Sequence, residues 1–228
     1  MTTSSVFASS PGPAPPGGPF DGDTLDHIAE RLETEGYAVV PNALPPEHVN
    51  RLFLALKETP AADFRRAGIG RKDDFQLNRF VRSDEICWLH GDTPAARDFL
   101  SWMEALRQGL NRRLFLGLFD YEAHYAAYPE GAFYKKHLDA FKGRSNRVLS
   151  TVFYLNPNWQ PTDGGELVIY NEADNQELER VLPEYGKLVI FLSEVFPHEV
   201  LPARRERYSI AGWFRVNNTA AGAPDPAR

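Results

Sequence analysis

In the stretch Phe133-Tyr-Lys-Lys-His-Leu-Asp139, His137 and Asp139 are separated by one residue, and Pro197-His198 lies far downstream. Alternate residues of an extended strand share a face, so a His-x-Asp pair on a strand presents an imidazole nitrogen and a carboxylate oxygen side by side. A second histidine from a distant strand completes a set of two histidines and one carboxylate. Such a set holds Fe(II) from one side and leaves three positions open. Alone, His-x-Asp is a weak signal in a chain with six histidines. Arg207 strengthens it. Pro197-His198-Glu-Val200 reads as a short strand, and a tight turn through Pro202 to Glu206 leads into Arg207-Tyr-Ser-Ile-Ala-Gly-Trp-Phe214. If the two strands form an antiparallel hairpin, Arg207 stands beside His198 and points into the same cavity. An inward guanidinium near a metal suits a co-substrate that is a dicarboxylate.

The elements that must position these residues follow from periodicity. Residues 1–20 are mostly Ser, Pro, Gly and Ala with little apolar bulk, so the expectation is a disordered tail. Asp23 reads as the N-cap of a helix carrying Leu25, Ile28 and Leu32 and stopping at Gly36. Tyr37-Ala-Val-Val-Pro41 reads as a strand. Pro45-Pro46 opens a second helix, with Val49, Leu52, Phe53 and Leu56 on one stripe. Residues 60–80 are charged and loop-like. A third helix runs from about Pro94 to Phe115, with Phe99, Leu100, Met103, Leu106 and Leu110 inward. After Asp120 the pattern turns to strands, expected at 121–128, 133–139, 147–155, 165–171, 187–193, 198–201 and 207–216. Helices followed by many closely spaced strands predict an α+β, mainly β, fold: a double-stranded β-helix, or jelly roll, buttressed by N-terminal helices. One catalytic domain over 21–218, with a flexible tail at 219–228, is the expected organisation. Along 147–155, Val148, Ser150, Val152 and Tyr154 share a face. If that face is inward, the Tyr154 hydroxyl can join Arg207 at the distant carboxylate of the co-substrate.

From about Tyr37 to Asn217 the sequence resembles the Fe(II)/2-oxoglutarate-dependent prolyl 4-hydroxylases, and most of all the hypoxia-inducible-factor prolyl hydroxylases and their bacterial relatives. The words that carry the resemblance are Tyr128-Pro129, Tyr134, Arg147-Val-Leu-Ser-Thr-Val-Phe-Tyr-Leu-Asn156, Gly164-Gly165-Glu-Leu167, Pro197-His198-Glu-Val200 and Arg207-Tyr208. The resemblance implies a metal triad of His137, Asp139 and His198, with 2-oxoglutarate held by Arg207, Tyr154 and Tyr128. It implies substrate contacts at Tyr134, Arg147 and Trp213, and a substrate-closing loop that turns at Arg82-Ser-Asp84, preceded by the glycine-bearing Ala67-Gly-Ile-Gly70. Fe(II), 2-oxoglutarate and O2 are the implied cofactors, with ascorbate helpful. The implied partner is a protein substrate, with a translation factor such as elongation factor Tu as the bacterial candidate. Two departures stand out. The loop from Pro129 to Phe133 is one residue shorter than in the animal enzymes, and Ala211 replaces a threonine whose hydroxyl lies near the metal.

Composition narrows the alternatives. A net charge of −6 argues against a general nucleic-acid binder, which shows a basic stripe. The single cysteine, Cys87, excludes an intramolecular disulfide and fits a reducing compartment. No apolar run has the length of a membrane span, and the first residues lack the basic start and apolar stretch of a secretory signal, so the expected location is cytoplasmic. His27, His48, His90 and His124 lack carboxylate neighbours at ligand spacing and read as structural. Three other readings share parts of the pattern: a 2-oxoglutarate oxygenase acting on a free amino acid or other small molecule, a non-catalytic cupin-like binding module, and a zinc hydrolase. The last lacks a general base at zincin spacing.

Overall fold

The computed structural model describes residues 20–66, 81–140, 145–171, 173 and 176–217. Both expected tails, the Ala67-Gly-Ile-Gly70 stretch and the remainder of the 67–80 loop fall outside these residues, apart from Phe20.

Three helices come first. Helix α1 is Gly22–Thr34, and its N-cap is Asp21 rather than the expected Asp23: the Asp21 carboxylate accepts from Thr24 N at 2.8 Å. Asp23 instead sits in the first turn, where a negative charge complements the helix dipole. Helix α2 is Pro46–Glu58 and α3 is Pro94–Leu114, the latter capped by the Thr93 hydroxyl. The buried stripe of α3 is Phe99, Trp102, Met103, Leu106 and Leu110, while Leu100 is only partly buried.

The strands are β1 (Tyr37–Val40), β2 (Arg65–Arg66), β3 (Glu85–Trp88), β4 (Leu118–Tyr128), β5 (Tyr134–His137), β6 (Arg147–Tyr154), β7 (Leu167–Tyr170), β8 (Glu177–Val181), β9 (Leu188–Leu192), β10 (His198–Val200) and β11 (Arg207–Val216). They form a seven-stranded sheet in the order β1-β9-β6-β11-β4-β3-β2 and a four-stranded sheet in the order β5-β10-β7-β8. Every pairing is antiparallel. The fold is the expected double-stranded β-helix with a helical buttress.

The large sheet separates two cores, and its alternation assigns residues to each. Tyr125, Leu149, Phe153, Ile190, Ile210 and Phe214 pack against the three helices. Ala126, Tyr128, Tyr154, Val189 and Phe191 face the small sheet, where Leu167, Ile169 and Val200 meet them. Period-two alternation on a sheet buried on both faces leaves almost every strand position apolar, except where the interior must be polar. Those exceptions mark the site. Among the described residues no helix is long and apolar enough to cross a membrane.

Two local expectations are corrected. Strands β10 and β11 do not form a hairpin: β10 pairs with β5 and β7 in the small sheet, and β11 with β4 and β6 in the large one. The connection between them crosses from sheet to sheet and is pinned on the way, with Gly165 N donating to Pro202 O and Gly131 N to Ala203 O. The second concerns β6. Arg215 lies opposite Arg147 and Phe214 opposite Leu149, so Val148 is skipped by an irregularity in the ladder. Val148 therefore packs toward the helices, whereas Ser150, Val152 and Tyr154 keep the inward face.

Candidate active site

His137 ends β5 and His198 begins β10, and the two are direct cross-strand partners with ring centroids 4.3 Å apart. Asp139 lies beyond the end of β5 rather than on it, in a bend that swings its carboxylate between the two rings. His137 Nε2 is 3.6 Å from Asp139 Oδ1, and His198 Nε2 is 3.7 Å from Oδ2. The three ligand atoms all lie within 4.8 Å of one another.

Both imidazoles are oriented through their other nitrogen. His137 Nδ1 is 2.7 Å from Lys135 O, and His198 Nδ1 is 3.0 Å from Phe196 O. A carbonyl only accepts, so each Nδ1 carries the proton and each Nε2 offers its lone pair to the shared space. Asp139 is also fixed. Its Oδ2 accepts from Ser150 Oγ at 2.7 Å and from Trp213 Nε1 at 3.0 Å. The Ser150 hydroxyl, having given its proton to Asp139, accepts in turn from Ser193 Oγ at 2.9 Å. Burial raises the Asp139 pKa, but His198, His137 and Arg147 together outweigh it and hold the carboxyl well below its usual range. Burial, reinforced by His137, pushes His198 down to about 4. His198 therefore stands as a neutral imidazole and Asp139 as an ionised carboxylate, the protonation states in which these groups ligate a cation.

Between the rings of Tyr128 and Tyr154 is a buried cationic slot. Arg207 is 1% exposed. Its Nε donates to Gly165 O at 2.9 Å and its Nη1 to Ser209 Oγ at 3.4 Å, while Nη2 has no hydrogen-bond partner among the described residues. The Tyr154 hydroxyl is equally buried and also without a partner among the described residues. Burial pushes this hydroxyl up to about 12 against the pull of Arg207, but no well-formed hydrogen bond joins the two groups. The guanidinium carbon is 4.9 Å from the Tyr128 ring and 5.1 Å from that of Tyr154. Register brings the three together: Arg207 is opposite Tyr128 on β4, and Ser209 is opposite Tyr154 on β6. An unpaired donor and an unneutralised cation in a dry cavity are costly. Together they describe a place for a carboxylate.

At the mouth, Arg82 grips Asp84 with two bonds of 2.7 and 2.6 Å and lies 4.3 Å over the Tyr134 ring. The other face of Tyr134 stacks on His137, at 3.5 Å and 15°. Ser83 N donates to Phe133 O and Lys135 N to Val81 O, so residues 81–83 run along the free edge of β5. Arg147 reaches the site but is engaged there: it bonds Glu122 at 3.0 Å and lies 3.6 Å over the Trp213 ring. Of the eleven site residues named from sequence, short contacts join His137, Asp139, His198, Trp213, Arg147, Tyr134, Arg82 and Asp84 in one cluster, and Arg207, Tyr128 and Tyr154 in a second. Sequence reasoning missed Ser150 as an orienting group for Asp139, Ser193 behind it and Glu122 under Arg147. Ser150 was legible to the extent that its parity matched Tyr154. Ser193 lies in a turn and gave no signal. His124, read as structural, is a buried ring on the inward face of β4 opposite Ala211.

Residues 123–215, which include all three metal-ligand candidates and Arg207, match the 2OG-Fe(II) oxygenase superfamily. The chain is 31% identical over 207 residues to the prolyl hydroxylase EGLN3 of Mus musculus, covering 83% of this chain and 82% of the relative. The chain belongs to the 2OG-Fe(II) oxygenase superfamily. This oxygenase also superposes on the crystal structure of a Pseudomonas putida prolyl-4-hydroxylase with a TM-score of 0.77 and 40% identity, over 85% of this chain and 100% of the other. With a prolyl hydroxylase from Trichoplax adhaerens, in complex with a hypoxia inducible factor oxygen degradation domain peptide fragment, the TM-score is 0.74 and the identity 29%, over 85% and 89%. Four other curated relatives are longer proteins, of which the oxygenase spans 28% to 58%.

The residues present fit the pair this family uses, Fe(II) and 2-oxoglutarate. Two imidazoles and a carboxylate are a facial donor set for Fe(II). The orphaned Arg207 Nη2 and Tyr154 hydroxyl match the far end of a dicarboxylate.

Proposed function

We propose that residues 21–218 form a single catalytic domain of an Fe(II)- and 2-oxoglutarate-dependent dioxygenase that hydroxylates C4 of a prolyl residue within a protein. The observation that carries this reading is the pairing of the His137–Asp139–His198 set with the buried, unsatisfied Arg207 and Tyr154. Family membership and the prolyl hydroxylase relatives support the choice of reaction. The peptide held by the Trichoplax adhaerens relative supports a polypeptide substrate.

When bound, Fe(II) with 2-oxoglutarate supplies the activation of O2, the loss of CO2 to leave succinate, and the transfer of one oxygen atom to a C–H bond. The chain supplies position and protection. His137 and His198 present Nε2, and Asp139 presents Oδ1, because its Oδ2 is occupied by Ser150 and Trp213. Arg207 and the Tyr154 hydroxyl hold the distal carboxylate, and the Tyr128 hydroxyl addresses the end nearer the metal. Phe191, Val189 and Val152 keep that part of the cavity apolar, which excludes water and strengthens every charge contact inside it. Tyr134, Trp213 and Arg147 wall the opening for the prolyl ring, and the Arg82–Asp84 turn frames its edge.

Incubating the protein with Fe(II), ascorbate, 2-oxoglutarate and a cell lysate, then searching digests for proline with one added oxygen, tests the reading. Elongation factor Tu is the first purified partner to try. A modified prolyl residue accompanied by succinate release is the expected result. Turnover with free amino acids alone, with no modified peptide, overturns the protein substrate while leaving the metal and co-substrate assignments standing. Absence of Fe(II)-dependent succinate release under every condition overturns both and favours a cupin-like binding module.

A further inference from the structure

A continuous line of aromatic rings runs from a metal-ligand candidate to solvent. Trp213 donates its indole N–H to Asp139 Oδ2 at 3.0 Å. Its ring centroid is 5.5 Å from that of His124, which in turn is 5.2 Å from Trp88 in an edge-on contact. Strand register builds the line across three neighbouring strands: Trp88 on β3 lies opposite His124 on β4, and His124 lies opposite Ala211 on β11, two residues before Trp213. Trp213 and His124 are buried, whereas Trp88 is 41% exposed. One end of the line touches the carboxylate at the metal site and the other touches water.

Indole gives up an electron more readily than most side chains, and packed rings carry the electron better than solvent does. We propose that Trp213, His124 and Trp88 form an exit route for oxidising equivalents, and that Trp88 is oxidatively modified when the oxygenase turns over without substrate. The proposal rests on the iron and 2-oxoglutarate reading given above. Without substrate, dioxygen and 2-oxoglutarate give succinate and CO2, leaving one oxygen atom and two oxidising equivalents at the centre. Trp213 gives an electron and is refilled from Trp88, and a second passage takes a second electron from the same indole. With those two electrons and two protons the oxygen atom at the centre leaves as water. A solvent water adds to the oxidised Trp88 ring, which releases two protons in all and becomes hydroxytryptophan. The sum is 2-oxoglutarate, dioxygen and tryptophan going to succinate, CO2 and hydroxytryptophan. Tyr134 also lies against a ligand ring, stacked on His137, but its far face meets the guanidinium of Arg82, which yields no electron, so that line ends there.

The experiment is substrate-free turnover of the full chain with Fe(II) and 2-oxoglutarate in 18O-labelled water under unlabelled dioxygen. Succinate is quantified, and peptides are mapped by mass spectrometry. The expected result is one labelled oxygen on Trp88, rising with succinate, with Trp102 and Trp159 unmodified as internal references. In Trp213→Phe the mark on Trp88 per succinate released is lost. In Trp88→Phe the metal affinity is unchanged, but fewer turnovers precede inactivation. Oxygen on Trp88 that derives from dioxygen, or oxidation confined to Tyr134, Trp213 or the ligand histidines while Trp88 stays intact, overturns the route. If no succinate forms at all, the parent reading has failed, and the two failures are told apart in the same tube.

Discussion

Arg207 is a fully buried cation whose outer nitrogen has no hydrogen-bond partner among the described residues, and no described acidic side chain pairs with it. Hydrogen bonds to a charged partner contribute about 1.5–3 kcal/mol each, so truncating this one costs about ten- to hundredfold in binding. Arg207→Ala is therefore expected to raise the concentration of 2-oxoglutarate needed for half-maximal succinate release by that factor. Arg207→Lys should recover only part of the loss, because an ammonium lacks the two-pronged geometry. Titration of 2-oxoglutarate against both variants checks this, and an unchanged requirement would move the dicarboxylate elsewhere. Ser150 makes a second residue-scale claim. It holds the carboxylate that a bend, not a strand, delivers, so nothing in the ladder itself fixes the Asp139 rotamer. Groups that orient a metal ligand typically contribute about 10–100-fold in affinity. Ser150→Ala should weaken Fe(II) or Mn(II) binding within that range, and Ser150→Thr should restore most of it. Equal affinity in all three proteins, measured calorimetrically, would show that Trp213 alone suffices.

At the scale of elements, the sequence exposed most of the strands because alternation and turn residues survive in a two-core sheet. What it hid has physical causes. Strand β8, Glu177–Val181, covers the outer edge of the small sheet, is charged at Glu177, Glu179 and Arg180, and has almost no apolar face to announce it. Strand β3 is only four residues long, too short for alternation to mark it, and no strand is expected there from sequence. The His198 and Arg207 strands looked like a hairpin because their spacing permits one. Spacing carries no information on whether the chain stays in its sheet or crosses to the facing one, and here Gly165 and Pro202 hold the crossing. Gly165 has φ +73°, and a Cβ there would meet Ala203 Cβ at 2.9 Å and Arg207 Cδ at 3.2 Å. Its carbonyl also receives Arg207 Nε. Gly165→Ala should therefore lower stability by about 1–3 kcal/mol, through backbone strain at a left-handed position. It should also weaken 2-oxoglutarate binding, because the arginine must shift. Denaturant melts with and without 2-oxoglutarate separate the two effects, and a variant as stable and as responsive as the parent would refute the packing argument.

Across the whole molecule, the two sheets divide the labour. The ligand candidates come from the small sheet and the bend after it, on β5 and β10, whereas the groups that hold Asp139 belong to the large sheet and the turn after β9. Asp139 is thus a fastening between the sheets even before a metal binds, and the aromatic contact beside it on the large sheet must stay dry. His124 shows how acid attacks that arrangement. Its burial, with Arg82 nearby adding to it, pushes its pKa down to about 4, from a model-peptide value near 6.5. The folded protein keeps this ring neutral, while the unfolded chain takes up a proton as soon as the pH drops below the higher value. Stability is therefore whole above pH ~6.5 and falls as acid is added, with the loss from this residue complete once the lower value is passed. The shift corresponds to roughly 3 kcal/mol. His124→Phe keeps an aromatic ring between Trp88 and Trp213 but has nothing to protonate. Chelator-treated wild type and His124→Phe, unfolded in urea at a series of pH values between 7 and 4, should diverge toward acid, with the variant losing less. His198 is also a depressed histidine, but it is present in both proteins and cancels from the difference. Parallel curves would mean that His124 is hydrated in the folded state, and the dry aromatic contact between β3, β4 and β11 would then be wrong.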